Sequence, residues 1–368
     1  MNVLIDISHP GHVHLFKNFV FELKDKGNNV TITVKDIKAA KQLLEKYNIE
    51  FIDLGYKSDS LLGKFLNQLR YDVKLRKIVK AKKIEYGIGT SISLAHVSKL
   101  SGLISILLDD DDDEVQPLFT KFAHPFCDVL LSPDVLQKKR KRKDTIYYAG
   151  YHELAYLHPN RFTSDENILK ELNLSKNENY FILRFNVFKA HHDIGAKGLN
   201  LEQKLKIVNL LLKYGKVFIT TEREVEDELK DYQLKISPEK IHHLLYFATM
   251  FVGDSQTMTS EAAVLGTPAF RCNSFVGRIS YLEEEEHKYG LCYSYQPEKF
   301  NDMITKIKEL LSMKNLQQEW QKRRQRMLKD KIDVTAFLVW FVENYPESAS
   351  IMRENPDETQ KQFMTLKT

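Results

Sequence analysis

Short apolar runs alternate with amphipathic stretches in two successive rounds along the chain. The first round opens with Val3–Ile7, an apolar run typical of a buried strand, and apolar residues then recur at helical spacing from Leu15 to Leu23. A second round opens with Tyr180–Phe185. Strands that alternate with helices form parallel sheets with helices on their faces. The sequence therefore predicts an α/β protein with two domains, each built on a parallel sheet.

A polar stretch at His158–Asn167 separates the two rounds. We expect an N-terminal domain over residues 1–158 and a C-terminal domain over residues 159–330. The apolar residues within 331–346 predict a helix that packs back on the body of the protein. Residues 347–368 are polar and predict a mobile tail.

Composition excludes several classes of protein. Of the 368 residues, 43% are hydrophobic and 28% are charged, so the chain can bury a core and is not disordered as a whole. It has no run of about 18 uncharged apolar residues and no secretory signal at its start, so no membrane span is expected. Its three cysteines are widely spaced, which favours a reducing, cytoplasmic location. A net charge of +4 does not imply nucleic acid as a partner, and we expect none.

Six acidic residues, Asp109–Glu114, and six basic residues, Lys138–Lys143, form two uninterrupted charged runs. The simplest interpretation of each run is a solvated loop beside a strand. The alternative for the acidic run is a metal or substrate site. The alternative for the basic run is peripheral association with the inner face of a membrane, where each Lys or Arg contributes about 1 kcal/mol.

The stretch Met250–Arg271 is the most informative for function. Its strand runs into a turn at Gly253, and the helix that follows ends near Gly266. Free backbone N–H groups and the helix dipole place roughly half a positive charge at the start of such a helix, which suits a phosphate. Ser255 adds a hydroxyl, and Glu261, about two helical turns along, is suited to accept the hydroxyls of a ribose. The alternative is a plain capping turn with an exposed glutamate.

The segment GDSQTMTSEAAVLGTPAFR resembles the nucleotide-binding segment of the non-hydrolysing UDP-N-acetylglucosamine 2-epimerases. Those enzymes have the glycosyltransferase-B architecture, in which two Rossmann domains face a cleft. The resemblance implies a phosphate-binding role for Ser255 and a ribose-binding role for Glu261. It departs at Gln256-Thr257, where the family has two glycines, and at Ser260, where it has the first of two glutamates. The matching residues are Asp254, Ser255, Glu261, Ala262, Leu265, Gly266, Pro268 and Arg271.

Over nearly its whole length the chain is also similar to a prokaryotic family, domain of unknown function 354. That family is grouped with the glycosyltransferase-B fold, so the resemblance implies the fold and does not choose a reaction. The segments that carry it are DISHPGHVHLFKN, GYHELAYLHP, LRFNVFKAHHDIGAKGL, the Asp254–Arg271 segment and FVGRISYLEE.

The loop Ser8–His12 follows the first strand, at the edge where parallel α/β sheets bind ligands. It resembles the G-H-x-x-P loop of family-1 glycosyltransferases and the G-G-H-V loop of the lipid-II-forming N-acetylglucosaminyltransferase. The loop histidine of the family-1 enzymes can act as general base, which implies that role for His12. A neutral imidazole can take a proton from an acceptor hydroxyl near pH 7. Alternatively, His12 caps the helix or binds a hydroxyl. His9 and Gly11 share the loop as candidate cleft residues.

Four further residues are candidates for the same cleft. Arg184 follows the first strand of the second domain, where its guanidinium is suited either to neutralise a diphosphate or to form a salt bridge. His192 lies in the loop after it, Thr90 follows a first-domain strand, and Arg278 follows the strand of Arg271. We assign no metal ligand among them.

The sequence thus predicts a metal-independent, inverting glycosyltransferase. Its substrate would be a nucleotide-diphosphate sugar, UDP-linked, and no cofactor is expected. The C-terminal domain would hold this donor. The N-terminal domain would bind a glycan or a lipid-linked acceptor, as in the synthesis of surface polysaccharides or glycoconjugates. The donor-binding residues would be Arg184, Asp254, Ser255, Gln256, Thr257, Glu261 and Arg271.

Two other functions stay open at this point. A UDP-sugar 2-epimerase fits the Asp254–Arg271 segment, although the epimerases carry an arginine in their N-terminal loop that this chain lacks. A non-catalytic nucleotide-sugar-binding protein fits the missing glycines at residues 256–257. The sequence does not fix the sugar, the base, the acceptor or the oligomeric state.

Overall fold

The computed structural model of the chain describes residues 1–55, 61–185, 198–221 and 225–365. They form two compact units. The first is built from residues 1–161 together with the segment that starts at Lys331, and the second from residues 162–330. Each unit has a parallel sheet with helices between its strands. The prediction of two Rossmann-like domains is confirmed.

The first unit contains a seven-stranded parallel sheet. Its strands are β1 (Asn2–Ile7), β2 (Asn29–Lys35), β3 (Ile52–Gly55), β4 (Tyr86–Gly89), β5 (Ile104–Leu108), β6 (Val129–Pro133) and β7 (Ile146–Tyr148). The strand order is β3-β2-β1-β4-β5-β6-β7, so the direction of winding reverses between β1 and β4. Such a switch point opens a crevice at the carboxyl ends of the two strands, where ligands bind in folds of this kind.

Six helices cover this sheet before the chain leaves the unit. They are α1 (Pro10–Asp25), α2 (Lys38–Lys46), α3 (Leu61–Ala81), α4 (Ile92–Ser101), α5 (Pro117–Phe122) and α6 (Leu154–Leu157). Helix α1 begins at Pro10, whose fixed φ and missing N–H suit the first helical position. The helix buries Phe16, Phe19 and Leu23, which the helical spacing had predicted to share one face.

The second unit contains a five-stranded parallel sheet. Its strands are β8 (Tyr180–Arg184), β9 (Lys216–Thr220), β10 (Met250–Gly253), β11 (Ala269–Cys272) and β12 (Cys292–Tyr295). Their order is β12-β11-β10-β8-β9, which places the switch point between β8 and β10. Its helices are α7 (Asn167–Glu171), α8 (Leu201–Leu211), α9 (Ile241–Phe247), α10 (Gln256–Leu265), α11 (Ser280–His287), α12 (Phe300–Leu311) and α13 (Leu316–Asp330).

The C-terminal segment returns to the first unit. It forms α14 (Val334–Glu343), α15 (Glu347–Glu354) and α16 (Pro356–Gln360), and α14 packs against α1. The described part of residues 347–368 is therefore helical, which differs from the expected mobile tail. Ala349, Met352 and Phe363 are buried, and the Phe363 ring lies edge-on to Phe337 of α14. These few apolar side chains are enough to hold a segment whose overall composition is polar. Among the described helices, none combines the length and apolar character that crossing a bilayer requires.

Candidate functional site

At the switch point of the first unit, the loop after β1 meets the end of β4. Thr90 Oγ1 lies 2.8 Å from Nε2 and 3.0 Å from Nδ1 of His12, and Ser8 Oγ lies 3.3 Å from Nδ1 of the same ring. His9 caps α1, because its Nδ1 accepts a hydrogen bond from the backbone N–H of Gly11 at 3.1 Å. The structure thus brings His9, Gly11, His12 and Thr90 together and gives the capping role to His9.

The surroundings of His12 keep its imidazole neutral. Burial lowers the pKa of His12 well below its usual value, and the nearby His9, His152 and Lys35 lower it further. The ring is therefore unprotonated near pH 7. A neutral imidazole beside two hydroxyl groups is able to accept a proton from a bound hydroxyl.

A second histidine belongs to this edge of the sheet. His152 Nδ1 lies 2.9 Å from Oδ2 of Asp110, the second residue after β5. Burial alone would raise the pKa of the Asp110 carboxyl, but the neighbouring His152, a backbone hydrogen bond and Arg140 together outweigh that effect and lower it. The sequence placed His152 in the GYHELAYLHP segment, just before the domain boundary, where it would either line the cleft or belong to a structural hinge. Its partner Asp110 follows β5, which β6 separates from β7 in the sheet, and only the strand order shows that the ends of these strands lie at one edge.

The acidic and basic runs bind each other, so the interpretation as two solvated loops is wrong for their buried members. The Arg140 guanidinium is fully buried, and its Nη1 lies 3.0 Å from Oδ2 of Asp109 and 2.5 Å from Oδ1 of Asp113. His124 Nε2 approaches the same Asp109 oxygen at 2.8 Å. Asp109, Asp113 and His124 are close enough to share a cation, and the Arg140 guanidinium occupies that position. Loops at the ends of β5 and β6 are thus joined through Arg140, whereas the four lysines of the basic run are exposed, and its association with a membrane stays a prediction.

At the switch point of the second unit, Arg184, Gly253 and Arg271 lie side by side at the ends of β8, β10 and β11. Residues in register on adjacent strands point to the same face of a sheet. We call these three residues the arginine row. Gly253 has to be a glycine, because a Cβ there would lie 2.2 Å from the carbonyl oxygen of Arg184. The row therefore places two guanidinium groups on either side of an open backbone position.

Helix α10 starts directly after the arginine row. Asp254 is buried, and its backbone N–H donates to the Arg184 carbonyl at 3.1 Å. Ser255 caps the helix, since its Oγ accepts a hydrogen bond from the N–H of Met258 at 3.4 Å. Gln256 and Thr257 occupy the first two helical positions and are half-buried. Their backbone N–H groups have no partner within the helix and favour an anion. The predicted turn is thus at the predicted place.

Arg271 is fully buried at the end of β11. Its Nη2 donates to Ser294 Oγ at 3.2 Å and lies 3.7 Å from Oε1 of Glu283. Its Nε and Nη1 have no hydrogen-bond partner among the described residues. Unpartnered buried donors cost free energy, and a charged group costs more than a neutral one. A bound anion at this edge of the sheet is the natural compensation.

Glu261 is buried as well, in contrast to the exposed glutamate of a plain capping turn. Its Oε1 lies 2.9 Å from Nε2 of His242 on α9, and both side chains are almost inaccessible to solvent. Sequence reasoning missed His242. Glu285 of α11 is fully buried too, and it accepts a hydrogen bond from Ser260 Oγ at 2.6 Å. The polar side chain that replaces the family's first glutamate thus binds a glutamate of the next helix.

Two predicted cleft residues are not part of these clusters. Arg278 is exposed, and its guanidinium lies 5.5 Å from the ring centre of Phe275. His192 lies outside the described residues. Their roles stay predictions.

Comparison with known proteins identifies the family of the chain. Residues 1–345 match the family DUF354, described as a protein of unknown function. The chain belongs to this family. A relative from Methanocaldococcus jannaschii, the uncharacterized protein MJ0665, is 23% identical over 303 residues, which cover 78% of this chain and 86% of the relative. The predicted family is confirmed.

The DUF354 chain is also similar to solved structures of two kinds of enzyme. One is the UDP-GlcNAc 2-epimerase from Neisseria meningitidis bound to UDP-GlcNAc, with a TM-score of 0.62 and 12% identity over 93% of this chain and 99% of the other. Another is the spinosyn rhamnosyltransferase SpnG complexed with spinosyn aglycone, with a TM-score of 0.61 and 13% identity over 94% and 100%. At these identities the likeness shows the fold alone, and the predicted glycosyltransferase-B fold is confirmed.

Proposed function

We propose that this DUF354 protein is a metal-independent glycosyltransferase that transfers a sugar with inversion from a nucleotide-diphosphate sugar, UDP-linked. The observation that carries the proposal is the arginine row beside the first turn of α10. It gathers two guanidinium groups and a helix N-terminus at one switch point. The structures of similar fold include an epimerase bound to UDP-GlcNAc and SpnG complexed with thymidine diphosphate. The three buried, unpaired cysteines support a cytoplasmic location.

The donor side would work by charge neutralisation. A nucleoside diphosphate leaves with about two to three negative charges, and preorganised donors stabilise such charge in the transition state. Arg184 would contact the diphosphate directly, because it is only half-buried. Arg271, the N–H groups of Gln256 and Thr257, and the capped turn at Ser255 would complete the anion site. No metal ion is needed for this chemistry.

The acceptor side would work by proton abstraction. In an inverting transfer the acceptor oxygen attacks the sugar carbon as the diphosphate leaves from the opposite face. His12 would take the proton of the acceptor hydroxyl, since its imidazole is neutral and held between Ser8 and Thr90. His152, held by Asp110, would be one of the groups that keep His12 neutral. The acceptor would be a glycan or a lipid-linked saccharide.

Glu261 would bind the ribose. The resemblance to the epimerases supports this role, and His242 would hold the carboxylate in place through the 2.9 Å contact. Glu261 is buried, so a ribose would reach its carboxylate only if ligand binding moved the side chains that cover it. A substitution that keeps the shape of Glu261 and removes its charge, Glu261→Gln, tests this role directly.

A 2-epimerase is the second candidate function, and one specific observation favours it. The Asp254–Arg271 segment resembles the epimerase pattern at eight positions and folds into a turn, helix α10 and strand β11. The two reactions are separated by incubating the protein with UDP-N-acetylglucosamine without an acceptor. Appearance of the 2-epimer supports the epimerase, whereas an intact bound donor supports the transferase.

Nucleotide binding is the first measurement to make. Thermal unfolding in the presence of UDP-, GDP-, CDP- and dTDP-sugars should show stabilisation by one of them, with roughly 2.7 kcal/mol at about 100 times the dissociation constant. Arg184→Ala should weaken this effect and lower turnover about 100- to 1000-fold. The exposed Arg326→Ala serves as the matched control and should change neither. No response to any nucleotide sugar would favour a role without nucleotide sugars, and wild-type turnover of Arg184→Ala would remove Arg184 from the mechanism.

A further inference from the structure

Exposed apolar side chains are concentrated on one part of the first unit. Among the described residues, eleven large apolar side chains are exposed, and seven of them lie on α3, on α4, on α5 or just after α5. A soluble surface usually scatters such side chains singly, and a cluster marks a site of interaction. We call this cluster the α3–α5 surface. Its members are Leu66, Leu69 and Val73 of α3, Leu100 of α4, Leu118 and Phe122 of α5, and Phe126.

Polar contacts join the three helices into one continuous surface. Asp72 of α3 lies 2.9 Å from Nδ1 of His96 on α4, and Gln68 of α3 donates to Ser93 of α4 at 2.8 Å. The other ring nitrogen of His96 lies 3.0 Å from the carbonyl oxygen of Phe122, and the His96 and Phe126 rings lie edge-on at 5.5 Å. His96 therefore fixes the exposed rings of the α5 region beside the exposed aliphatic residues of α3.

The exposed apolar residues follow helical spacing. Leu69 and Val73 are four residues apart on α3, and Leu118 and Phe122 are four residues apart on α5. Residues at this spacing lie on the same face of a helix. Each helix thus turns a short apolar stripe outward, in addition to the buried stripe that faces the core.

Positive charge surrounds the apolar stripes. Helix α3 contains six Lys or Arg residues and one acid, Asp72, which is bonded to His96 and Gln68. Arg70, Arg76 and Lys77 are exposed on it. Lys121 of α5 is exposed beside Phe122, with its Nζ 5.4 Å from the ring centre. The α3–α5 surface therefore consists of apolar side chains surrounded by basic ones.

We infer that the α3–α5 surface docks on an anionic lipid bilayer. Apolar side chains that project between long basic side chains are typical of proteins that lie in the headgroup region, because the stems cover apolar surface while the charges reach the phosphates. Each basic residue near an anionic leaflet strengthens binding about fivefold. The surface is separate from the basic run Lys138–Lys143, whose Arg140 is engaged with the acidic run. The inference goes beyond the proposed function and does not depend on it.

Docking of this kind would place the acceptor side near lipid. Helix α4 begins at Ile92, two residues after Thr90, which contacts His12. Helix α5 follows the acidic run at the same carboxyl edge of the sheet. A lipid-linked acceptor would therefore reach the His12 loop from the membrane surface on which the helices rest. This last step alone rests on the proposed function.

Vesicle flotation with the full chain tests the docking. We expect the protein to float with vesicles of phosphatidylcholine and phosphatidylglycerol, to float less in high salt because screening weakens the attraction, and to stay behind with pure phosphatidylcholine. The double variant Leu69→Ser/Val73→Ser should reduce the bound fraction at least about fivefold, as should Arg76→Glu/Lys77→Glu. Both variants change exposed side chains, and circular dichroism and the melting temperature report whether they fold like the wild type.

Matched controls make the result specific. Leu212→Ser/Tyr214→Ser removes two apolar side chains of similar exposure from the second unit, and Lys138→Glu/Lys143→Glu reverses charge in the basic run. Neither should change flotation. The inference is overturned if wild-type protein fails to float with anionic vesicles, or if the control variants lose binding as much as the α3 variants. It is also overturned if light scattering shows that the α3–α5 surface holds two copies together and the α3 variants separate them. Nucleotide binding, measured on the same samples, reports separately on the proposed function.

Discussion

The carboxylate of Glu261 lies 2.9 Å from the imidazole of His242, and both side chains are buried between α9 and α10. The two residues are nineteen positions apart in the chain, and a strand and a turn lie between them. The pair therefore ties the helix that follows the predicted phosphate turn to the helix that precedes its strand. This gives Glu261 a structural partner in addition to the predicted ribose.

The first prediction concerns that pair. His242→Ala should lower the free energy of unfolding by roughly 3 kcal/mol, because it removes the imidazole that contacts the buried Glu261 carboxylate. Thermal and urea unfolding measure the loss. His287→Ala, whose side chain is 70% exposed, is the control and should stay within about 0.5 kcal/mol of wild type. Equal stability of His242→Ala and wild type would mean that the contact contributes nothing. Unchanged UDP-sugar affinity in Glu261→Gln would end the ribose assignment while leaving the stability argument intact.

The second prediction concerns the protonation of His12. Because burial, His9, His152 and Lys35 lower its pKa, the imidazole is already neutral below pH 6.5. If His12 is the base, kcat/KM for transfer should stay high as the pH falls through 6.5 and drop only in more acidic solution. His12→Ala should lower kcat about 100- to 10,000-fold with donor affinity unchanged.

Thr90→Val separates orientation of the His12 ring from its chemistry. Loss of the hydroxyl at 2.8 Å should lower kcat less than His12→Ala does and leave the position of the acid limb near that of wild type. A pH profile that keeps its acid limb in His12→Ala would show that another group titrates in the reaction.

The order of strands and helices and both switch-point loops follow from the sequence, because they depend on local features. Val3–Ile7 reads as a buried strand from its own composition, and Gly253 and Ser255 indicate a strand-to-helix turn from their own chemistry. Parallel strands then bring the ends of β1 and β4, and of β8 and β10, to common edges. Thr90 beside His12 and Arg184 beside Gly253 are consequences of that rule.

Side-chain partners that are far apart in sequence do not follow from the same reasoning. Asp109 and Arg140 are 31 residues apart and belong to runs that each look solvated when they are considered alone. Only the adjacency of β5 and β6 brings them together. The helices after residue 347 were missed for a related reason, since Phe363 becomes a buried residue only when α14 supplies Phe337. In both cases the deciding energy comes from a contact that local sequence does not encode.

The third prediction tests the pairing of the charged runs. Arg140→Met removes the fully buried guanidinium between Asp109 and Asp113 and should lower the free energy of unfolding by about 3–5 kcal/mol at neutral pH. Urea unfolding at neutral pH measures this deficit. Lys139→Met, whose side chain is 55% exposed, should cost no more than about 1 kcal/mol at any pH. Equal effects of the two substitutions would contradict the buried network.

The fourth prediction concerns Asp111, whose negative charge is not balanced by Arg140. Burial raises the pKa of Asp111 well above its usual value, and the nearby Asp110 and Asp109 raise it further, although Gln116 donates a hydrogen bond to its carboxylate. At a pH between the ordinary and the raised pKa, the folded protein binds a proton that the unfolded chain does not. Stability is therefore lost as the pH rises through that range.

Asp111→Asn should consequently be more stable than wild type at neutral pH, because asparagine carries no charge to bury and still accepts the Gln116 bond. The gain should disappear below about pH 4, where the unfolded aspartate is protonated too. The control is Asp144→Asn, because a hydrogen bond from Arg142 lowers the pKa of Asp144 and its stabilising charge is present at neutral pH. That substitution should destabilise at neutral pH and have little effect in acid. At neutral pH the melting temperatures of the two variants should therefore change in opposite directions relative to wild type, and in acid both changes should disappear. Destabilisation by Asp111→Asn at neutral pH would show that the Asp111 charge has a compensating cation in solution.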